Sequence, residues 1–531
     1  MEGTILTMTD ARDPDRDTYY VTAAIDYPNG APHIGHSLEK VGVDAMRRYQ
    51  RLRGRDARLT MGLDENSQHV VTAAGRNGVD VQTWVDRMES AFRAAWSSLG
   101  IEPDAFVRTN ADPRHAEASR ELYRRARAAG DIYRSTYSGW YCPNCNAYYT
   151  DDELVEGRCP LHPSIVPEWL EEENDFFALS KYGDRLLAHI EANPDFILPR
   201  PRAAEVVATI RQGLRDFSVS RALKPDREPW GIPVPSDDGQ VLYVWFDALT
   251  TYLTGIGFPD DDGYRAYWPA DAHVIGKDIT RFHCLYWPAM LLSAGLPLPR
   301  HVVVHGFLTA EGQRISTTTG NVIDPVAVTA EFGTDPVRYY LLRDVSFASD
   351  GDFSRANLIR RHNDDLANDL GNLLNRIVSM TGRYRGGTVP EPVEETEAEV
   401  DLRTVAGVAR QAAEDGFTAW TMDRAIDGIW TLVRRTNQYL EGREPWKLSK
   451  DPANAAALDT TLGSAAEAMR LVGIYLAPAM PGTADRIMAQ LGLPPVADGD
   501  WTSKGTWGAA RVSHVVPAGP LFPRIEVEPT A

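Results

Sequence analysis

The feature that most constrains the fold is the order of elements near the start of the chain. A β-rich run over residues 19–25 closes on the turn cluster 26–30, and a helical pattern then continues through Tyr49. Strand, turn with Gly and Pro, and helix in this order open an α/β nucleotide-binding unit. A second strand is predicted over residues 57–62, just before the polar run 64–66. We therefore predict an α/β fold with a Rossmann-type parallel sheet.

This α/β pattern is interrupted by a stretch of different character and then resumes. Residues 116–228 hold three of the four Cys among frequent Gly and Pro, and they look inserted. After them, three short apolar runs are predicted to be buried parallel strands, at residues 243–246, 273–276 and 301–304. From about residue 356 to residue 480 the period is helical, and three helices are predicted, over residues 364–380, 401–438 and 455–475.

Net charge and the length of apolar runs exclude some classes of protein. The formal net charge is 55 − 74 = −19, which argues against indiscriminate coating of nucleic acid but allows a local basic track for one folded RNA. No apolar run reaches the roughly 18 residues of a membrane span, and the polar N-terminal stretch is not a secretory signal. We therefore expect a soluble, cytoplasmic protein of about three domains.

The cysteines form a spaced set with one histidine. Cys142 and Cys145 enclose Pro-Asn, and Cys159 and His162 follow after thirteen further residues. Two such half-knuckles are typical of a closed tetrahedral zinc site, so the Zn²⁺ is predicted to be structural. The less favoured alternative is an unrelated set of buried side chains. Cys284 lies in an apolar stretch and is predicted to be core.

Two further patterns are individually weak. His33 and His36 stand three apart at the junction of strand and helix, where free backbone N–H groups and the positive helix end suit a triphosphate. A capping or metal-binding role fits the same pair equally well. The polar loop 312–325 would ordinarily be a surface turn, but it follows the last predicted strand, where mobile phosphate-gripping loops occur.

Together these patterns resemble class I aminoacyl-tRNA synthetases. Pro32-His33-Ile34-Gly35-His36 resembles their HIGH signature, and residues 314–318 stand in the position of their KMSKS signature. More specifically, the chain resembles the bacterial methionyl-tRNA synthetases from Tyr20 to about Arg524. Other stretches that carry the resemblance are residues 27–30, 138–142, 171–174, 243–248, 275–279, 281–283, 305–308 and 444–446.

The resemblance implies roles by position. The methionine pocket is implied at Ile25, Tyr27, Asp64, Trp245, Ala248, Tyr252 and His283, with Asp64 as the carboxylate for the substrate ammonium. ATP contacts are implied at His33, His36, Gly276, Lys277, Asp278, Arg314, Ile315, Ser316 and Thr317, of which His33, His36, Arg314 and Ser316 would act in catalysis. Aromatic walls suit a thioether, although a lone Trp or Tyr is more often core packing.

The helical region resembles the anticodon-binding bundle of the family. Asn372 and Arg376 stand four apart on one predicted helix face, and Trp446 stands where the family stacks an anticodon base. Without the resemblance, a helix cap and a core Trp are the simpler interpretation. Arg360, Arg361 and Arg376 are our first candidates for a basic track that holds tRNA.

The implied organisation is a split Rossmann-type nucleotide-binding domain with a zinc-binding insertion and a helical bundle. The predicted segments are 1–115, the first catalytic half; 116–228, the connective insertion; 229–325, the second catalytic half; 326–355, a stem; and 356–531, the anticodon-binding domain. The chain ends without an appended dimerisation domain, so a monomer is expected.

Two segments of the sequence differ from the pattern of the family. Residues 314–318 read Arg-Ile-Ser-Thr-Thr in place of Lys-Met-Ser-Lys-Ser, so Thr317 replaces a lysine that stabilises the triphosphate. Loss of such a contact costs on the order of 3 kcal/mol, or about a hundredfold in rate. Residues 64–67 read Asp-Glu-Asn-Ser where relatives have Asp-Glu-His-Gly.

The resemblance implies a methionine–tRNA ligase that uses Mg²⁺ and ATP, with tRNA-Met as its partner. One alternative is a paralogue that adenylates an amino acid and transfers it to a small-molecule acceptor. Another is a non-catalytic tRNA-binding relative. Retention of Asn372, Arg376 and Trp446 favours the ligase.

Overall fold

The computed structural model describes residues 17–142, 147–223, 229–235, 237–261, 263–315 and 321–526. The chain divides into two compact units. The described residues of Met1–Pro32, Arg58–Ala94 and Pro103–Val304 form the first unit; those of His33–Ala57, Ala95–Glu102 and His305–Ala531 form the second.

A six-stranded sheet is the centre of the α/β fold. Its strands, in spatial order, are Ala105–Arg108, Asp56–Leu63, Thr18–Ala23, Ala272–Gly276, His301–His305 and Ile197–Leu198. The central pair is parallel, with Val21 opposite Ala272 and Ala23 opposite Val274. Adjacent strands that lie far apart in sequence require crossovers, as a split nucleotide-binding sheet does. The predicted strands over residues 19–25, 57–62, 273–276 and 301–304 are therefore confirmed within one or two residues.

The inserted residues build a separate antiparallel sheet. The strand Glu168–Phe177 pairs along its full length with the strand Ile132–Cys142, from Ile132 opposite Phe177 to Tyr141 opposite Glu168. Ala147–Tyr149 and Phe217–Ser218 complete this four-stranded sheet. Two small sheets comprise Pro233–Val234, Asp237–Leu242 and Ser220–Ala222, and Gln313–Arg314, Leu308–Ala310 and Gly351–Phe353.

Helices make up most of the remainder. The α-helices are Ile34–Leu52, Gln68–Arg76, Val81–Ser98, Pro113–Ala128, Gly183–Ala192, Arg200–Arg211, Val244–Thr254, Tyr264–Tyr267, Trp287–Ser293, Pro325–Phe332, Thr334–Asp344, Arg355–Arg361, Asn372–Arg385, Glu397–Thr418, Met422–Arg443, Pro445–Leu448, Ala455–Leu476, Pro481–Gln490 and Asp500–Ser503. Wider π-type turns occupy Phe282–Tyr286 and His362–Gly371, and 3₁₀ turns occupy Asp151–Glu153, Leu179–Tyr182, Lys277–Ile279 and Pro452–Asn454.

Two predicted elements are wrong. Residues 243–246 are not a strand, because the helix Val244–Thr254 begins there and every one of its residues is buried. A continuous apolar run does not distinguish a buried strand from a buried helix. The helix predicted over residues 401–438 is two helices, which turn where Trp420 adopts a left-handed backbone with φ of 58°. A Cβ on Gly416 would lie 2.5 Å from the backbone nitrogen of Ala425, so this glycine permits the two helices to meet closely.

A buried ionic network anchors the helix Ile34–Leu52 within the second unit. Asp44, fully buried, accepts from Arg338 at 2.8 Å and from Arg47 at 2.7 Å. Arg338 also donates to the carbonyls of Leu99 and Ala479, at 3.1 Å and 2.8 Å. Removal of one partner from such a network would leave an uncompensated buried charge, so the packing of this helix depends on these contacts.

Candidate functional site

The helix Ile34–Leu52 begins with two imidazoles that cap it. His33 has an extended backbone, and its Nδ1 accepts from the Gly35 N–H at 3.2 Å. His36 Nδ1 accepts from the His33 N–H at 3.1 Å, which makes a reciprocal capping box. Because Nδ1 of His33 accepts, its neutral ring carries hydrogen on Nε2, and this tautomer can donate to an anion.

Both imidazoles are neutral at physiological pH. Burial, helped by the neighbouring His36, lowers the pKa of His33 to about 3. Burial and the positive charge of Lys40 lower the pKa of His36 to about 4. The pair therefore presents hydrogen-bond donors rather than full positive charges.

The backbone N–H groups of this first turn are not free, and that prediction is wrong. The Ile34 N–H donates to the Ile323 carbonyl at 2.9 Å, and the His36 N–H donates to the His33 carbonyl at 2.9 Å. The Gly35 N–H donates to Nδ1 of His33, so the His33 side chain and the backbone carbonyls of His33 and Ile323 satisfy these three donors of the first turn. An anion at this helix start would meet side chains first.

Ile315, the last described residue before the gap in the predicted phosphate loop, lies beside this helix start within the same unit. A Cβ on Gly35 would lie 3.2 Å from Cδ1 of Ile315 and 2.9 Å from the His33 ring, so only glycine leaves room for both side chains. Arg314 ends the short strand that pairs with Leu308–Ala310, with Arg314 opposite Thr309. Ser316 and Thr317 lie outside the described residues, so their predicted roles stay predictions.

A buried ionic cluster follows His36 on the helix and was missed by the sequence analysis. The Glu39 carboxylate accepts from Lys40 Nζ at 2.8 Å and lies 3.0 Å from Nε2 of His305. All three side chains are buried, and Lys40 holds the pKa of Glu39 at about 2. The only hint of this cluster in the sequence is the charged pair Glu39 and Lys40, which closely follows His36. Their partner His305 is distant in sequence, so the contact could not be predicted.

Aromatic side chains of the first unit gather where the methionine pocket is predicted. Trp245 stacks on Phe282 at a centroid distance of 3.7 Å and meets Tyr27 edge-on at 6.1 Å. The Tyr252 hydroxyl lies 2.6 Å from Nε2 of His283. Nδ1 of His283 faces the Ile279 carbonyl at 3.1 Å, so Nδ1 carries the hydrogen and Nε2 accepts from Tyr252.

The remaining predicted members of this pocket follow from local structure. Trp245, Ala248 and Tyr252 stand at the helical spacing of three and four residues, which places them on one face of the helix Val244–Thr254. Ile25 follows the strand Thr18–Ala23 and contacts the position that a Cβ of Gly62 would take, at 3.1 Å. Phe282 was missed, although it directly precedes the predicted His283.

Two buried carboxylates of the same unit belong with this cluster. Asp64 and Asp247 are 1% and 0% exposed, and Asn66 donates to Asp247 Oδ2 at 2.7 Å. Burial raises the pKa of both carboxyls well above the ordinary value, and the Asp64 charge raises that of Asp247 further. Asp247 and the role of Asn66 were missed, because the two residues lie 181 positions apart.

The predicted phosphate-contacting segment 276–278 lies at the carboxyl end of a central strand. Gly276 ends the strand Ala272–Gly276, and the 3₁₀ turn Lys277–Ile279 follows at once. Lys277 is half-buried and Asp278 is exposed. Ligands of open α/β sheets bind at this edge, and contact of this segment with phosphate stays a prediction.

Three of the four predicted zinc ligands come together. Cys142, Cys159 and His162 place their ligand atoms within 4.8 Å of one another, and Cys159 Sγ lies 3.8 Å from Nδ1 of His162. Tetrahedral Zn²⁺ with bonds of about 2.3 Å to sulfur and 2.0 Å to nitrogen brings its ligands to such separations. The donor set therefore fits zinc; the fourth predicted ligand, Cys145, lies outside the described residues. Cys284 is fully buried, as predicted for core.

The predicted anticodon residues lie in the second unit, and two of them meet. The Arg376 guanidinium lies 5.9 Å from the ring centroid of Trp446, whose side chain is 37% exposed. Arg376 also approaches Asn437 Oδ1 at 3.4 Å. Asn372 lies one turn earlier on the helix Asn372–Arg385 and is exposed. Its side-chain amide donates to Asn368 Oδ1 at 3.1 Å.

Known proteins match this chain along nearly its whole length. A family model described as class I tRNA synthetases (M) matches residues 19–165 and 163–378. A methionine–tRNA ligase of Caldanaerobacter subterraneus is 41% identical over 516 residues, which cover 97% of this chain and 80% of that protein. The methionine–tRNA ligase of Mycobacterium tuberculosis is 44% identical over 484 residues, or 90% of this chain and 92% of that protein.

Solved structures match equally well. The Mycobacterium tuberculosis methionyl-tRNA synthetase in complex with methionyl-adenylate has a TM-score of 0.90 and 42% identity, over 96% of this chain and 100% of that chain. The apo form of that synthetase gives a TM-score of 0.84 and 40% identity. Among the described residues, no helix has the length and apolarity that crossing a membrane requires.

Proposed function

The chain belongs to the class I tRNA synthetases of the methionyl type, and from that premise we propose that it is a methionine–tRNA ligase. It would join methionine to ATP as methionyl-adenylate and then transfer the methionyl group to the 3′ end of tRNA-Met. The observation that carries this proposal is the aromatic cluster of Trp245, Phe282 and Tyr27, whose tyrosine hydroxyl donates to the buried carboxylate Asp64. An apolar wall with one carboxylate suits a thioether side chain and an ammonium.

In the first step, the methionine carboxylate attacks the α-phosphorus of ATP. The bond to the bridging oxygen of the β-phosphate breaks, and pyrophosphate leaves with the electron pair. No covalent bond to the protein is needed, so the residues act by position and charge. His33 and His36, neutral and capping the helix, would donate hydrogen bonds to phosphate oxygens, together with Arg314 and the backbone at Ile315.

Two metal ions are part of the proposal. Mg²⁺ carried by ATP would supply positive charge to the phosphates. Zn²⁺ would be held by Cys142, Cys159 and His162 together with Cys145, and it would stabilise the inserted sheet without taking part in the reaction. Since tRNA and ATP are cytoplasmic substrates, we propose the cytoplasm as the place of action.

The acceptor is proposed to be tRNA, and the arrangement of the predicted anticodon residues in the second unit supports this. Arg376 beside the half-exposed Trp446 offers a guanidinium and an indole on which an unstacked base can lie. Loss of that pair would be expected in a paralogue that serves a small-molecule acceptor.

Charging of tRNA-Met by the purified full chain tests the proposal. With ATP, Mg²⁺ and a panel of amino acids, methionine alone should support ATP–pyrophosphate exchange and be attached to tRNA-Met. Asp64→Asn should lose both activities, while the exposed Asp238→Asn should keep them. Exchange without charging would favour the small-molecule ligase, and absence of exchange with every amino acid would favour a non-catalytic relative.

A further inference from the structure

The two carboxylates in the proposed methionine pocket are incompletely satisfied. Oδ1 of Asp64 and Oδ1 of Asp247 are each buried and accept no hydrogen bond from the described residues. Nor does any described Lys, Arg or His form an ion pair with either group. A buried polar atom without a hydrogen bond lowers the free energy of unfolding. A bound group that donates a hydrogen bond to it recovers that free energy.

The other oxygen of Asp247 is held in place. Asn66 Nδ2 donates to Asp247 Oδ2 at 2.7 Å, while Oδ1 of Asn66 accepts from Asn110 Nδ2 at 2.9 Å. The amide of Asn66 is therefore fixed, with its Nδ2 shared between the Asp247 carboxylate and the Thr109 carbonyl at 3.4 Å. Asp64 in turn accepts from the Tyr27 hydroxyl. The two orphaned oxygens thus belong to side chains that have little freedom to turn away.

The charges that face this pair are few. Glu65 is a further carboxylate that acts on Asp64, and Arg108 forms an ion pair with it at 2.6 Å; Asp26 is another buried carboxyl residue, whose carbonyl accepts from the Asp64 N–H at 2.9 Å. Tyr27 and Tyr243 are neutral, because burial raises the pKa of both hydroxyls. Two carboxylates buried in one site without a cation do not both ionise near neutral pH, so one proton is retained between them.

We propose that Asp247 is the second carboxylate of the ammonium site, and that the pair shares one proton which leaves when the ammonium of methionine binds. This inference rests on the proposed function. The charge of the site stays at −1 throughout: one proton on two carboxylates before binding, one ammonium between two carboxylates afterwards. The proton passes to the buffer, and no bond of the substrate is formed or broken.

Binding of methionine to the full chain tests this by isothermal titration calorimetry at neutral pH in phosphate and in Tris, whose ionisation enthalpies differ. The dependence of the measured enthalpy on the buffer gives the number of protons released. We expect about one proton per methionine. The Kd should then fall about tenfold for each unit that the pH rises, until the pair ionises on its own.

Asp247→Asn provides the decisive comparison, because it keeps the shape of the side chain and removes the second charge. Proton release should fall to near zero, the pH dependence of Kd should flatten, and Kd above the titration range should rise about tenfold. Asn66→Ala should weaken binding while proton release persists, since both carboxylates remain. Asp238→Asn, an exposed site, should behave as the parent chain.

Methionine binding without proton release by the parent chain would overturn this inference and leave the proposed function intact; that measurement needs no variant to fold. One proton released by Asp247→Asn would likewise remove Asp247 from the site. Absence of methionine binding together with absence of tRNA charging would overturn both the inference and the proposed function.

Discussion

Gly35→Ala tests the geometry at the start of the helix Ile34–Leu52. The new Cβ would lie 2.9 Å from Nδ1 and Cε1 of His33 and 3.2 Å from Cδ1 of Ile315, so the imidazole must move. Loss of the His33 cap costs about 1 kcal/mol of stability, and alanine in a helix recovers up to about 1 kcal/mol relative to glycine. The free energy of unfolding should therefore change little. A catalytic group displaced by about 1 Å costs about a hundredfold in rate.

We therefore expect the methionine-dependent ATP–pyrophosphate exchange rate of Gly35→Ala to fall about a hundredfold, with the KM for methionine nearly unchanged. Gly75→Ala is the matched control, because that helical glycine has nothing within 4 Å of the added methyl group and its exchange rate should stay at the parent value. An exchange rate within twofold of the parent for Gly35→Ala would refute the argument, since it would mean that the His33 ring is not needed where it lies.

Other perturbations address the loop, the anticodon surface, the metal and pH. Thr317→Lys should raise the exchange rate by up to about a hundredfold if the missing cation limits adenylation, and an unchanged or lower rate would contradict this. Trp446→Ala should raise the KM for tRNA-Met about tenfold or more, since stacking contributes about 1–3 kcal/mol per base, and should leave exchange unaffected; equal loss of exchange would point to misfolding. Chelation should release one zinc per chain, measured by metal analysis, and lower the thermal stability of the inserted sheet; a chain that never contained zinc would exclude the site. Because the pKa of His33 is about 3 and that of His36 about 4, neither should produce a limb in the exchange rate between pH 5 and pH 8. The unfolded chain binds protons on these histidines below about pH 6.5 while the folded chain does not, so the free energy of unfolding should fall as the pH is lowered from there.

The strands of the central sheet were predicted well from the sequence, because parallel strands are short, buried apolar runs that end at turn residues. The prediction failed at residues 243–246 for a physical reason: a helix buried on every side has no polar face to show its period. The spacing of Trp245, Ala248 and Tyr252 was nevertheless helical, so the predicted pocket itself contained the correcting signal. The spacing of functional residues can therefore indicate a helix where the hydropathy pattern does not.

The site was predicted less completely than the fold. The resemblance pointed to His33 and His36 but not to their capping role, which depends on imidazole orientation. Asn66 was noticed only as a departure from relatives; its contact with Asp247 joins segments 181 residues apart and is invisible to any local pattern. Such contacts are decided by the packing of the folded chain.

The contacts of the arginines predicted to guide tRNA show which of them are available to bind a phosphate. Arg361 donates to Asp344 at 2.9 Å and contacts Asp365 at 3.1 Å, so it is an internal ion pair, whereas Arg360 is exposed. Arg376 lies 3.8 Å from the carboxylate of Glu441. An arginine already beside a carboxylate gains little from a phosphate, because one anion merely replaces another. The Arg376 guanidinium lies 5.9 Å from the ring centroid of Trp446, so we predict that this pair would engage an arriving base by stacking more than by net charge.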